Sequence, residues 1–247
     1  MTTPPKMRVS VVIPALNEEA SIAGVIAELP PGLFKVIVVD NGSTDRTAAH
    51  ARAAGAVVVS EPQPGYGRAC GAGAREAGSE TDILVFLDGD GSDCPAVLPQ
   101  LVEPIERGDF DFVIGSRTRG QREAGSMGPA QLIAGKMCGS IIRALYGVSY
   151  SDMCPFRAIR MRVFDALDMR ERTYGWNVEM QMRVAHADLR ILEIPVPHRR
   201  RTGGVSKVSG SAIGTLRASW RILATVLRIA MQTRAGRFNT SREAVDS

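Results

Sequence analysis

A chain of 247 residues with 45% hydrophobic content has apolar material for one sizeable core and falls within the usual size of a single α/β domain. Its four cysteines, Cys70, Cys94, Cys138 and Cys154, lie far apart without a Cys-x-x-Cys pair, which argues against a zinc cluster or a disulfide framework and fits a reduced, cytosolic setting. The net charge of +4 is uneven: residues 1–198 carry 20 Lys/Arg against 24 Asp/Glu and the last 49 carry 10 against 2, so the cationic end suits phosphate, nucleic acid or an anionic membrane surface.

The polar stretch Met1 to Lys6 and the short apolar run ending at Pro14 give no signal-peptide pattern, and no eighteen-residue apolar span predicts a transmembrane helix. Residues 9–13 are apolar on both faces and read as a buried strand. Asn17 is placed to cap a helix reaching Leu29, with Glu18 and Glu19 in its first turn. A strand over 36–40 precedes a helix capped at Thr44 or Asp45 and running through Ala54, and strands over 56–60 and 83–88 follow. Pro95 suits the first turn of a helix toward Arg107, and residues 111–115 form the next strand. This alternation predicts a mainly parallel sheet that binds ligands at the carboxyl ends of its strands.

Residues 117–127 are polar and Gly-rich and read as a mobile loop before a helix over 129–146. A further helix over 176–187, a strand over 189–195 and a loop over 198–210 come next. From 211 to 232, Ile213, Leu216, Trp220, Leu223, Leu227 and Met231 fall on one helix face, flanked by Arg217, Arg221 and Arg228. Such a helix suits a membrane interface, or packing on the domain or on a second subunit. The expected organisation is one domain over 1–210, this helix within 211–234 and a polar tail over 235–247.

A dinucleotide or P-loop site needs a glycine-rich turn against the phosphates. Here the first strand ends Pro14-Ala15-Leu16-Asn17-Glu18, Gly65-Tyr66-Gly67 lacks a third glycine, and no Walker lysine motif occurs. Asp88-Gly89-Asp90 ends an apolar strand instead. Carboxylates there cost free energy unless solvated, paired or metal-bound, and two of them flanking a glycine can share one hard cation through oxygen. A solvated Asp-Gly turn is the alternative that the triplet alone leaves open. His50, His186 and His198 have no ligand-like spacing, and the basic end has few aromatics beyond Trp220 and Phe238, which argues against nucleic acid.

Further segments follow in order: Val38-Val39-Asp40-Asn41-Gly42-Ser43-Thr44-Asp45, Gly115-Ser116-Arg117, Asp152-Met153-Cys154-Pro155-Phe156-Arg157 and Gly203-Gly204-Val205-Ser206-Lys207. Together with the strand ends above, this series resembles the family 2 glycosyltransferases of GT-A fold, in the dolichol-phosphate mannose synthase-like or polyprenyl-phosphate glycosyltransferase branch. The resemblance implies an α/β fold with a Rossmann-like nucleotide-binding half. It also implies Mg²⁺ or Mn²⁺ as cofactor and inverting transfer of a hexose from a GDP- or UDP-hexose to a polyprenyl phosphate, at the cytoplasmic face of a membrane that the chain meets peripherally.

By the same resemblance Pro14, Leu16 and Glu18 line the nucleotide site, Asp40 contacts the nucleoside, Arg68 faces the nucleotide, and Asp88, Gly89 and Asp90 hold metal and diphosphate. Arg117, Arg201, Ser206 and Lys207 are candidates for the acceptor phosphate. Glu179 is a candidate general base for a hydroxyl acceptor, or an orienting group for a phosphate one. Where related synthases often continue the carboxylate motif with Gln and His, this chain has Ser92 and Asp93, so no third metal ligand is assigned. Two other readings stay open: a transferase acting on a soluble or glycan hydroxyl with the last helix serving a homo-oligomer, and a non-catalytic nucleotide- or membrane-binding protein.

Overall fold

A computed structural model describes residues 7–203 and 224–231 of the chain. One seven-stranded sheet runs in the order β3-β2-β1-β4-β6-β5-β7. Its strands are β1 Val9–Ala15, β2 Lys35–Asp40, β3 Val57–Ser60, β4 Ile83–Phe86, β5 Phe112–Ser116, β6 Arg157–Arg160 and β7 Ile191–Pro195. β1 pairs in parallel with β2 on one side and β4 on the other. The chain moves outward from β1 to β2 and β3, then crosses back past β1 to β4. Strand order therefore reverses between β1 and β4, and it is at the carboxyl ends flanking such a reversal that doubly wound sheets form their ligand crevice. The sheet is mainly parallel, as the alternation predicts, but β6 runs antiparallel to both β4 and β5.

The helices are α1 Ile22–Ala27, α2 Thr47–Ala53, α3 Tyr66–Ala77, α4 Leu98–Glu106 behind a 3₁₀ turn at Pro95–Val97, α5 Pro129–Tyr146, α6 Met161–Ala166 and α7 Trp176–His186. Val11, Val12, Ile13, Val38, Leu84, Val85 and Val113 are fully buried, which is why these strands read as continuous apolar runs.

Several expectations are corrected. Asn17 does not cap a helix: it takes the left-handed conformation (φ 55°). Its Oδ1 accepts the Thr44 N–H at 2.8 Å, and α1 begins only at Ile22, after a turn. α2 is capped at neither Thr44 nor Asp45: its N-cap is Arg46, and Asp45, one residue earlier, accepts the Thr47 N–H at 2.9 Å. α3 is absent from the sequence reading because Gly67, Gly71 and Gly73 each lower helix propensity by about 1 kcal/mol relative to Ala. Packing overrides that cost. A Cβ on Gly73 would overlap a methyl of Val12 and stand 3.0 Å from Val39, so only glycine lets α3 lie this close to β1 and β2.

β6 was also missed, because Arg157 breaks its apolar pattern. That arginine is fully buried, and it donates to the carbonyls of Cys154, Pro155 (3.3 Å) and Asn177 (3.1 Å). Of the expected helix over 211–232 only residues 224–231 are described, and they are helical. Ser206, Lys207, Arg217, Arg221 and the tail lie outside the described residues. Within 224–231 it is Thr225, Val226 and Ile229 that are buried, whereas Leu227 and Met231 of the anticipated apolar face are 54% and 66% exposed.

Candidate functional site

β4 ends at Phe86, so Asp88-Gly89-Asp90 lies just past the pleat, in the crevice beside the end of β1. Asp88 Oδ1 accepts the Tyr66 hydroxyl at 3.0 Å, and the Asp88 N–H donates to Asp93 Oδ2 at 3.1 Å. Asp90 Oδ1 accepts the Ser92 N–H at 2.9 Å, closing a turn whose Gly91 has φ +79°. Ser21 Oγ donates to the Gly89 carbonyl at 2.8 Å and so ties the start of α1 to this turn.

The 198–203 segment lies alongside. The Arg199 N–H donates to the Ser92 carbonyl at 2.8 Å and the Thr202 N–H to the Asp90 carbonyl at 3.0 Å. Arg201 Nη2 donates to Glu18 Oε1 at 2.8 Å and stands 3.8 Å from Asp90 Oδ2. Glu18, Asp88, Asp90 and Arg201, four of the residues singled out from sequence, thus meet where strand order reverses.

The electrostatics of this corner are strained. Burial, then the neighbouring Asp90 and Asp93 carboxylates, push Asp88 up to about 8. Burial raises Asp93 to about 6, against the lowering effect of the Asp88 N–H it accepts. Burial and then Arg117 press His198 down to about 4. Asp93 Oδ1 and His198 Nδ1 stand 3.9 Å apart, both buried and both without a hydrogen-bond partner among the described residues. Crowded carboxylates beside an orphaned oxygen and an orphaned imidazole nitrogen are a donor set that suits a divalent cation, which would relieve the repulsion. Among the described residues, no group of three His, Cys, Asp or Glu side chains is already gathered as a metal site. Asp93 and His198 were missed from sequence as site members: Asp93 looked like a departure from the motif, and His198 meets it only through the fold.

Along the end of β1, Pro14 and Glu18 are buried and Leu16 half-buried, with Ala15 in register with Asp40 on β2. Asp40 Oδ1 accepts the Ser43 N–H at 2.9 Å. Asn41, also missed, braces the floor: its Nδ2 donates to the Glu61 and Gln63 carbonyls and its Oδ1 accepts the Gly65 N–H, each at 2.8 Å. Arg68 sits in the first turn of α3, with its N–H on the Arg172 carbonyl at 3.1 Å.

The two remaining candidates, Arg117 and Glu179, are each held by protein partners. Arg117 closes a fork on Asp152 through Nε and Nη2, both at 2.8 Å, and its N–H reaches the same carboxylate at 2.9 Å. Its loop is pinned to the 198–203 segment, with the Glu123 N–H on the His198 carbonyl (3.0 Å) and the Arg200 N–H on Glu123 Oε2 (2.7 Å). Glu179, the candidate base or orienting group, lies inside the core. It is fully buried; Oε1 accepts Arg183 Nε and Nη2 at 3.0 and 2.8 Å, and Oε2 accepts the N–H groups of Arg170 and Glu171 at 3.1 and 2.6 Å. Both oxygens are thus occupied inside the core by donors of this chain.

Comparison with known proteins adds an independent line. The family model described as Glycosyl transferase family 2 matches residues 10–168. An undecaprenyl-phosphate mannosyltransferase of Micrococcus luteus is 33% identical over 225 residues, covering 84% of this chain and 90% of that protein. A dolichyl-phosphate hexose transferase of Haloferax volcanii is 32% identical over 213 residues, covering 83% and 90%. Among solved structures, glucosyl-3-phosphoglycerate synthase of Mycobacterium tuberculosis with Mn²⁺, UDP-glucose and phosphoglyceric acid matches with a TM-score of 0.69 at 25% identity, over 91% of this chain and 80% of that one.

Proposed function

The chain belongs to glycosyl transferase family 2, and from that premise we propose that it moves a hexose from a GDP- or UDP-hexose to a polyprenyl phosphate, with Mg²⁺ or Mn²⁺ held by Asp88 and Asp90. The observation that carries this reading is the convergence of Glu18, Asp88, Asp90 and Arg201 in the crevice between β1 and β4, the place where a doubly wound sheet takes a nucleotide. When bound, the cation neutralises charge building on the departing diphosphate. Tyr66 fixes the rotamer of Asp88 through its hydroxyl, while Asp40 and Asn41 hold the loops that floor the nucleoside end.

A phosphate oxygen of the acceptor bonds to the anomeric carbon as the bond to the diphosphate breaks on the opposite face, which inverts the configuration. That oxygen is already anionic and needs no general base, so the sealed state of Glu179 favours a phosphate acceptor over a hydroxyl one. The polyprenyl-phosphate and dolichyl-phosphate relatives support the lipid form of that acceptor. A soluble phosphorylated acceptor is the second reading, because the matching synthase is described with phosphoglyceric acid. Arg201 and Lys207, with the Ser206 hydroxyl, are the set assigned to the acceptor phosphate, and Arg117 is assigned to the same phosphate from its fork on Asp152.

The exposed Leu227 and Met231 and the basic C-terminal end support peripheral contact with the inner face of a membrane. Among the described residues, no helix is long and apolar enough to cross one. The donor half is tested by a thermal-shift panel of nucleoside diphosphate sugars with Mn²⁺. A GDP- or UDP-hexose is expected to raise the melting temperature of the wild type and not of Asp90→Ala. Equal shifts in both proteins would remove the carboxylate pair from the site.

A further inference from the structure

The helical segment 224–231 is not a loose appendage. Thr225, Val226 and Ile229 are buried, and Gly175 allows close approach, since a Cβ there would stand 2.5 Å from Thr225 Oγ1. Its polar anchor is Glu171, whose Oε2 accepts Thr225 Oγ at 3.0 Å and Arg228 Nη2 at 2.9 Å. The other oxygen of Glu171 accepts the Thr173 N–H and hydroxyl at 3.0 and 2.8 Å, and its own N–H is held by Glu179. The side chain of Glu171 is 14% exposed, so this anchor is largely shielded from water.

The backbone of the same residue faces the start of α3. A Cβ on Gly67 would lie 2.5 Å from the Glu171 carbonyl oxygen and one on Gly65 would overlap the Arg172 carbonyl oxygen, which accepts the Arg68 N–H at 3.1 Å. Between those glycines sits Tyr66, whose hydroxyl donates to Asp88. One short peptide, 171–172, thus has the C-terminal helix on its Glu171 side chain and the start of α3, which carries Tyr66, on its backbone.

We propose that Glu171 is a positioning residue through which the seating of the 224–231 helix sets the placement of Tyr66, and so of Asp88. The inference rests on the donor-site reading above only in what it means for catalysis; the mechanical link stands on the contacts themselves. It gives a helix that meets a membrane surface a route to the donor-binding corner through packed groups rather than through distance.

The test uses the full chain, with Arg228→Gln to break the anchor from the helix side, Arg228→Lys as the conservative variant, and Thr225→Val as a second break. Hydrogen exchange is followed at the amides of residues 65–68, and UDP and GDP are titrated in Mn²⁺. Arg228→Gln is expected to speed exchange at the Arg68 amide and to weaken nucleotide binding about three- to tenfold, the usual size of such coupling. Arg228→Lys recovers most of both effects. In a Tyr66→Phe background, Arg228→Gln should cause little further loss of binding, because the last link is already gone. Unchanged exchange at 65–68 in both Arg228→Gln and Thr225→Val, or full additivity with Tyr66→Phe, would overturn the inference. Absence of nucleotide binding by the wild type would instead refute the donor reading, while the exchange result still decides the coupling.

Discussion

Replacing Glu179 separates a buried clamp from a general base, and the structure supplies the magnitudes. The Arg183 side chain is 2% exposed, so Glu179→Ala removes the carboxylate partner of a buried charge, at a cost of about 3–5 kcal/mol. It also frees the Arg170 and Glu171 N–H groups at about 1–3 kcal/mol each. Set against a total stability of about 5–15 kcal/mol, the alanine variant is expected to be largely unfolded. Glu179→Gln is the usable probe. An amide offers a single acceptor oxygen, so its NH₂ must face either the Arg183 fork or the two backbone donors, at a cost of about 2–4 kcal/mol. For a chain of this size that lowers the melting temperature by about 5–15 °C.

Adding Arg183→Met removes the fork and lets the amide oxygen turn to the backbone donors, so the pair of changes should cost less than their sum. The assay is thermal unfolding by circular dichroism, paired with initial transfer rates well below the melting transition. A clamp gives a lower melting temperature and a kcat within about threefold of wild type. A melting temperature like that of the wild type with kcat reduced about 100-fold or more would refute the clamp and restore the general base.

Further outcomes follow from the same contacts. Gly73→Ala forces a methyl into Val12 and Val39 and is expected to cost about 1–3 kcal/mol, read as a lower urea midpoint with an unchanged m-value. Gly91→Ala puts a side chain at φ +79° and against Thr202, pushing the 198–203 segment off the carboxylate turn; titration should show weaker Mn²⁺-nucleotide binding with a stability loss of about 1–2 kcal/mol. Burial alone would raise Asp152 and Asp111, but the hydrogen bonds from Arg117 and Arg190 outweigh it and hold both carboxyls below their ordinary range. Their stabilisation is therefore complete above the unfolded carboxylate value and disappears as pH falls through the lower folded one. Melting curves of wild type and Asp152→Asn should differ most near neutrality and converge below about pH 4.

Strand runs, the parallel alternation, the 129–146 helix and the carboxylate pair were legible because each is a local pattern of burial or charge. Glu18 and Asp90 were also legible, although their joining by Arg201 is a long-range event. What escaped depends on who sits opposite. α3 looks unlike a helix until β1 and the 171–172 backbone are brought against its glycines. β6 hides because Arg157 finds carbonyl partners that periodicity cannot show. The buried clamp at Glu179 is not legible because its spacing to Arg183 says nothing of the two backbone donors supplied by residues 170 and 171. His198 was set aside for want of spacing and reaches Asp93 only when the 198–203 segment folds back along the carboxylate turn.

The central claim is transfer of a hexose to a lipid phosphate by the corner built on Asp88 and Asp90. The most direct measurement incubates the protein with a labelled GDP- or UDP-hexose, Mn²⁺ and a polyprenyl phosphate in detergent, and follows the label into the organic phase. Wild type should yield an organic-soluble glycosyl phosphate, while Asp88→Ala and Asp90→Ala yield little or none. Label that stays in the aqueous phase with the lipid acceptor but moves onto a soluble phosphorylated acceptor, or transfer that persists in both variants, would contradict it.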